Sequence, residues 1–156
     1  MKILFMCTAN SCRSILSEAQ FNHLAPAGQL AVSSGSFPRG AVLPRTLLTL
    51  REAGIATEGL SSKGNDAFVD SPPDIVITVC DKAAGEACPV YFGPALKAHW
   101  GLEDPSHVEG DEASIDAAFQ ATLAHIERRC RAFLALPLAD MSHDELQQAI
   151  NRIGQE

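Results

Sequence analysis

The chain has 156 residues, 46% hydrophobic and 20% charged, with a formal net charge of −7. That length suits one domain with a substantial core, and the acidic balance argues against a general nucleic-acid or membrane-surface binder, though a local field can still hold a small anion. No apolar run is long enough to span a bilayer, and the start Met-Lys-Ile-Leu-Phe-Met-Cys has no room for a signal peptide, so a cytoplasmic location is expected.

Residues 2–6 form an apolar run that reads as a buried strand. Residues 14–24 read as helix, ended by Pro26 and Gly28. Leu30-Ala31-Val32-Ser33 is a second strand, followed by a Ser/Gly/Pro loop to Gly40. Pro44 suits the first turn of a helix carrying Leu47, Leu48, Leu50 and Ala53, with Gly54 at its end. Residues 63–69 read as a short helix. The run from Asp74 to Cys80 is the clearest strand, β-branched and preceded by Pro72-Pro73. Lys97-Ala98-His99-Trp100 reads as the last strand. From 113 to 134, Ile115, Phe119, Leu123, Ile126, Cys130 and Phe133 recur at helical spacing and form one buried stripe. Ser142-x-x-Glu145 predicts a capping box for a final helix with Leu146, Ala149, Ile150 and Ile153 inward. The alternation predicts an α/β fold, a flavodoxin-like three-layer sandwich with about four parallel strands and helices on both faces.

In such a sheet, ligands bind beyond the carboxyl ends of the strands. Cys7-Thr8-Ala9-Asn10-Ser11-Cys12-Arg13-Ser14 lies at the end of the first strand and opens a helix. A loop entering a helix directs N–H groups towards one point, where the helix terminus adds positive potential. The residues from Thr8 to Arg13 are therefore the expected oxyanion cradle, with Arg13 offering a planar fork. The same surroundings favour Cys7 as a nucleophilic thiolate, to which Ser14 can donate. Asn10 tolerates the left-handed backbone that a tight loop often needs. Asp104-Pro105, late in the chain, reads from its residues alone as an ordinary turn, with a proton source for the leaving oxygen as the other reading. A carboxyl beside a bound dianion holds its proton more tightly.

The cysteine count is five, odd and without a zinc-like CxxC pair, so neither a secreted disulfide framework nor structural zinc is expected. Cys80 ends the clearest strand, on the same rim as Cys7. Cys88 follows a small, polar linker containing Gly85, which suits rearrangement. Cys130 sits on the helix stripe as a packing residue. Cys12, inside the loop, is positioned for a reversible protective disulfide with Cys7. The histidines are scattered, with no metal-ligand spacing.

The segment Cys7–Ser14 resembles the signature loop of low-molecular-weight protein tyrosine phosphatases and of the arsenate reductases that share their fold. The resemblance covers about residues 1–135; the helix from 142 to 154 lies beyond it, within one catalytic domain of residues 1–156. Ala9 stands where the family often has glycine, which is tolerable if φ there is negative. The resemblance implies that Asp104, not Glu103, is the general acid. Cys88-Pro89 and His99-Trp100-Gly101 resemble the thioredoxin-coupled reductase branch, which implies a relay: Cys7 attacks arsenate, Cys80 attacks Cys7, and Cys88 leaves a Cys80–Cys88 disulfide for thioredoxin. No bound cofactor is implied; a glutaredoxin and glutathione route is the other possible electron source. Some such reductases resemble each other in binding potassium. Asn10, Glu18 and Ser33 match that arrangement, but Lys63 replaces its remaining carboxylate, so no metal requirement is expected. Two other readings compete. A phosphatase of this fold typically has tyrosines after the Asp-Pro, where this chain has Ser106-His107-Val108 and its only tyrosine is Tyr91. A non-catalytic oxyanion-binding domain would not need Asp104 or the set of thiols.

Overall fold

Lys2–Cys7 (β1) is the central strand, and its last five residues are buried. Strand β2 (Leu30–Gly35) flanks it on one side and β3 (Ile75–Thr78) on the other, with β4 (Leu96–His99) outermost. The order is β2-β1-β3-β4 and every pairing is parallel. A strand buried on both faces needs no polar alternation, which explains the unbroken apolar runs of β1 and β3. The computed structural model describes residues 1–81 and 93–156. Cys88, its linker with Gly85, and Tyr91 lie outside the described residues.

The pleat of β1 divides the core. Ile3, Phe5 and Cys7 face a large cluster built with Ile15, Leu16 and Phe21 of α1 (Arg13–Leu24) and Phe119, Cys130 and Phe133 of α3 (Glu112–Leu134). Phe5–Phe21 and Phe21–Phe133 meet as tilted rings with centroids 6.1 and 5.8 Å apart, the geometry aromatic quadrupoles prefer. Leu4 and Met6 face the opposite side, with Val76 and with Phe68 of the 3₁₀ turn Asn65–Phe68. The helix expected over 63–69 is this single turn. Helix α2 (Pro44–Glu52) begins on its proline and contributes Leu50 to the large cluster.

The final helix, α4 (His143–Ile153), closes the exposed edge of β4. The Gln147 amide donates to the Lys97 carbonyl at 2.7 Å and accepts from the Lys97 N–H at 3.4 Å. A side chain thus pairs with the edge of the described sheet, which would otherwise invite pairing. Trp100 Nε1 donates to the Ile150 carbonyl at 2.9 Å. The expected capping box is present, with Ser142 and Glu145 each satisfying the other's backbone N–H. No described helix is long and apolar enough to cross a membrane.

The strand order places the catalytically suggestive loop. From β1 the chain passes first to one neighbour and later to the other, so the carboxyl end of β1 lies at the topological switch point. Residues 8–12 leave the sheet there and enter α1 at Arg13.

Candidate active site

The loop between β1 and α1 is held open by its carbonyls. The carbonyl oxygens of Cys7, Thr8, Ala9 and Ser11 accept from the backbone N–H groups of Ser36, Phe37, Arg39 and Leu43 at 2.8–3.2 Å, and that of Cys12 accepts from Leu16 at 2.8 Å. In a planar trans peptide the next residue's N–H points away from the carbonyl. Carbonyls bound outward to the 36–43 segment therefore turn the amides of Thr8, Ala9, Asn10 and Cys12 the other way, and the Arg13 amide, after a Cys12 carbonyl already bound along the helix to Leu16, opens the helix N-terminus beside them. One of these is accounted for: Asn10 N donates to Cys7 Sγ at 3.2 Å. A ring of inward amides at a helix N-terminus is an anion site by construction. Thr8 Oγ1 is buried without a hydrogen-bond partner among the described residues, a further donor on the same loop.

Cys7 is buried, at 6% exposure, and is a free thiol. Ser14 Oγ lies 2.9 Å from its sulfur, so an amide and a hydroxyl converge on the atom expected to carry charge. Asn10 organises both. Its φ of 47° makes it the only non-glycine residue with positive φ among the described residues. Ala9 therefore needs no glycine, as expected. The Asn10 Nδ2 group donates to Ser14 Oγ at 2.8 Å and Ser33 Oγ at 3.0 Å, and Oδ1 accepts from Lys63 N at 2.8 Å.

Behind Asn10 the network reaches an ion pair. Ser33 Oγ donates to Glu18 Oε1 at 2.5 Å, and Lys63 Nζ stands 3.8 Å from the same oxygen. Burial pushes the Glu18 carboxyl above its ordinary range, opposed by Ser33 and Lys63, and pushes Lys63 below its own. Asn10, Glu18, Ser33 and Lys63 are thus assembled as one cluster, and its positive charge is an ammonium. Among the described residues no group of three or more His, Cys, Asp or Glu side chains could hold a metal ion.

Arg13 is buried at 5% exposure. One terminal nitrogen donates to the Leu102 carbonyl at 3.1 Å, and the other meets Asp104 Oδ2 at 3.4 Å. Asp104 Oδ1 accepts from Ser106 N at 2.9 Å and Ser106 Oγ at 2.6 Å, while exposed His107 lies 3.5 Å from Oδ2. The Asp-Pro turn therefore holds the carboxyl with one oxygen tied back and the other turned to Arg13, on the cradle side.

The remaining thiols differ in kind. Burial pushes the Cys12 thiol up to about 12, opposed by a hydrogen bond with Thr46, and burial raises Cys130 to about 12 as well. Both are protonated at neutral pH, and Cys130 is fully buried in the core. Cys80 lies two residues past the end of β3, which stops at Thr78 and not at Cys80 as the sequence suggested. Thr78 is paired with Met6 across the ladder, and Val79 N donates to the Met6 carbonyl at 2.9 Å. Cys80 therefore emerges on the same rim as Cys7. It is buried and disulfide-bonded, whereas Cys7, Cys12 and Cys130 are free.

Several supporting residues were not legible beforehand. Gly35 pairs with Cys7, and a Cβ there would lie 2.5 Å from the Thr8 oxygen and 2.9 Å from Asn10 N. Ser62 Oγ donates to the Ala9 carbonyl, and Thr46 Oγ1 to that of Ser11, each at 3.1 Å. The only advance signal was the Ser/Gly-rich stretch after β2, which the topology brings to the same rim.

A thiol at the floor of an amide cradle, with a buried arginine and a carboxyl at its mouth, defines a cysteine-dependent protein of the phosphatase-like α/β class. The chain belongs to the low molecular weight phosphotyrosine protein phosphatase family, whose model matches residues 2–149. It is 34% identical over 132 residues to an arsenate reductase of Bacillus licheniformis, covering 84% of this chain and 93% of that one. Among solved structures it is similar to an arsenate reductase of Archaeoglobus fulgidus, with a TM-score of 0.71 and 25% identity over 86% of this chain and 99% of that one. A tyrosine phosphatase of Erwinia amylovora shares the fold, with a TM-score of 0.62 and 19% identity over 83% of this chain and 88% of that one.

Proposed function

We propose that this protein is an arsenate reductase in which a thiolate attack is completed by a disulfide relay, all within one catalytic domain. The observation that carries the reading is the pairing of a free Cys7 in the cradle with a disulfide-bonded Cys80 on the same rim. A relay of this kind needs a free thiol in the cradle and, on its rim, a second cysteine able to enter a disulfide.

The electrons balance over three thiols. Cys7 attacks arsenate and forms a sulfur–arsenic bond; the departing oxygen takes a proton from Asp104 and leaves as water. Arg13 and the amides of the loop from Thr8 to Arg13 hold the remaining oxygens, and Ser14 holds the sulfur before attack. The Cys80 thiolate then attacks the Cys7 sulfur. The sulfur–arsenic bond breaks, its electron pair stays with arsenic, and arsenite departs from a Cys7–Cys80 disulfide. Cys88 attacks Cys80 in turn, releases Cys7 as thiolate and forms Cys80–Cys88. Two thiols have lost two electrons and arsenic has gained two. An external dithiol must then reduce Cys80–Cys88, and thioredoxin suits the role, with glutaredoxin and glutathione the other source. That coupling fits a cytoplasmic, reducing setting. No metal is required, because the Lys63 ammonium provides the cation beside Glu18.

The phosphatase reading draws on the same cradle, since phosphate and arsenate are alike in shape and charge. It leaves Cys80 without a role, and no tyrosine follows Asp104-Pro105 to line an aryl cleft. The test runs two assays side by side: arsenate-dependent NADPH oxidation with thioredoxin and its reductase, and hydrolysis of p-nitrophenyl phosphate. Arsenate-dependent oxidation with at most weak hydrolysis is expected. Efficient hydrolysis without arsenate-dependent oxidation would favour the phosphatase, and neither activity would favour an oxyanion-binding domain.

A further inference from the structure

Asp104 belongs to a segment, residues 100–104, that two buried arginines grip from different helices. Arg13 of α1 donates to the Leu102 carbonyl at 3.1 Å. Arg129 of α3 donates to the adjacent carbonyl, that of Gly101, also at 3.1 Å. The other terminal nitrogen of Arg129 reaches the turn after α4, donating to the carbonyls of Gly154 at 3.2 Å and Glu156 at 3.0 Å. Arg129 is only 5% exposed, and its Nε has no hydrogen-bond partner among the described residues. Burial pushes its pKa down. A buried guanidinium with a lone donor is an expensive way to fill space, and an apolar side chain on the same stripe of α3 would pack without that cost.

The part of the segment that leads to Asp104 is the less tightly packed. A cavity of about 420 Å³, lined by Leu102, Pro105, Val108, Ala118, Ala121 and His125 among others, lies between it and α3. Packing on α3 therefore fixes the segment only in part. Trp100 and Leu102 anchor the segment in the large core cluster, and polar contacts complete its placement: Trp100 N to the Thr78 carbonyl at 2.8 Å, Leu102 N to the Val79 carbonyl at 3.2 Å, Trp100 Nε1 to Ile150, and the two arginines. Of these, only Arg129 joins the segment to both α3 and the C-terminal turn.

We propose that Arg129, braced by the turn after α4, is a positioning residue that sets the Asp104 carboxyl against the cradle. The proposal rests on the reading of Asp104 as the general acid. It also gives the C-terminal helix a part in the reaction, exerted through Arg129 and Trp100 on the chain that carries the acid.

The experiment is a double-mutant cycle on the full chain. Single arsenate turnovers are timed for wild type, Arg129→Lys, Arg129→Gln, Asp104→Asn and the two double variants, well below each melting temperature. Arg129→Gln is expected to slow turnover about ten-fold, with the half-saturating arsenate concentration changed by less than about two-fold. Arg129→Lys, which keeps a charged donor, should recover part of the rate. In the Asp104→Asn background neither substitution should slow turnover further. If Arg129→Gln does not fold, Arg129→Lys carries the same cycle. Equal slowing in both backgrounds, or a loss that only tracks the folded fraction, would overturn the positioning role. An Asp104→Asn enzyme turning over at the wild-type rate would instead overturn Asp104 as the acid.

Discussion

At the scale of the residue, the cradle depends on Asn10 and on what lies behind it. Asn10 combines a left-handed backbone with three side-chain hydrogen bonds, and so links the Cys7–Ser14 pair to Ser33, Glu18 and Lys63. The sequence showed why Asn suits such a loop, and the resemblance grouped it with Glu18, Ser33 and Lys63, but the individual hydrogen bonds, to three separate parts of the chain, were not legible. The Glu18–Lys63 pair has a definite pH signature. The Glu18 folded-state pKa lies above its ordinary 4.5, so ionised Glu18 weakens the fold increasingly as pH rises through that folded value. Lys63 is displaced downward from 10.5, so its own charging weakens the fold more as pH falls. The ammonium offsets the Glu18 charge only where Glu18 is ionised. Lys63→Ala should therefore destabilise by about 1–2 kcal/mol at pH 8 and by less at pH 4, as read from urea melts. Wild-type melts should not distinguish potassium from sodium. An equal loss at both pH values, or a wild-type gain specific to potassium, would contradict this assignment.

At the scale of the element, local signals and tertiary pairing divide the work. The capping box at Ser142 and the Asp111 cap of α3 are short-range chemistry: Asp111 accepts from Ser114 N, and Ser142 exchanges bonds with Glu145. The Ser142 capping box was read from the sequence; the Asp111 cap was not. Strand ends are not local. β2 runs to Gly35 because Ser34 and Gly35 pair with Met6 and Cys7, although neither residue type favours a strand. Hydrogen bonds to Ser114 and to Ser142 hold Asp111 and Glu145 below their ordinary pKa values of 3.8 and 4.5. Each contributes stability above its unfolded value, and loses it as pH falls through the lower folded one. Ser142→Ala should cost about 1 kcal/mol at pH 7. It should also flatten the fall in stability on acidification from pH 5 to pH 3. A variant that matches wild type at pH 7, or keeps the same acid slope, would contradict the cap's role.

At the scale of the whole molecule, four parallel strands bring the ends of β1, β2 and β3 to one rim, and with them the Cys7 thiol, the loop that enters α1 and Cys80. This much was readable in the sequence, because strand–loop–helix placement and the position of Cys7 are pattern properties. Asn10, Glu18, Ser33 and Lys63 were grouped by resemblance, but the order of hydrogen bonds from Asn10 through Ser33 to Glu18 was not legible. The outward-bound carbonyls of the cradle, the Gly35 contact and the grip of Arg129 on residue 101 were not legible either, since each joins residues at least 28 positions apart or sets a packing distance no periodicity records. In the proposed reaction a thiol, not water, releases Cys7. The direct measurement is peptide mass spectrometry on fully reduced protein after one arsenate turnover without reductant, with free thiols alkylated on quenching. A Cys80–Cys88 disulfide, an alkylated Cys7 and one equivalent of arsenite are predicted. Arsenate left unreduced with Cys80 and Cys88 both alkylated, or arsenite formed while Cys80 and Cys88 remain free, would contradict it.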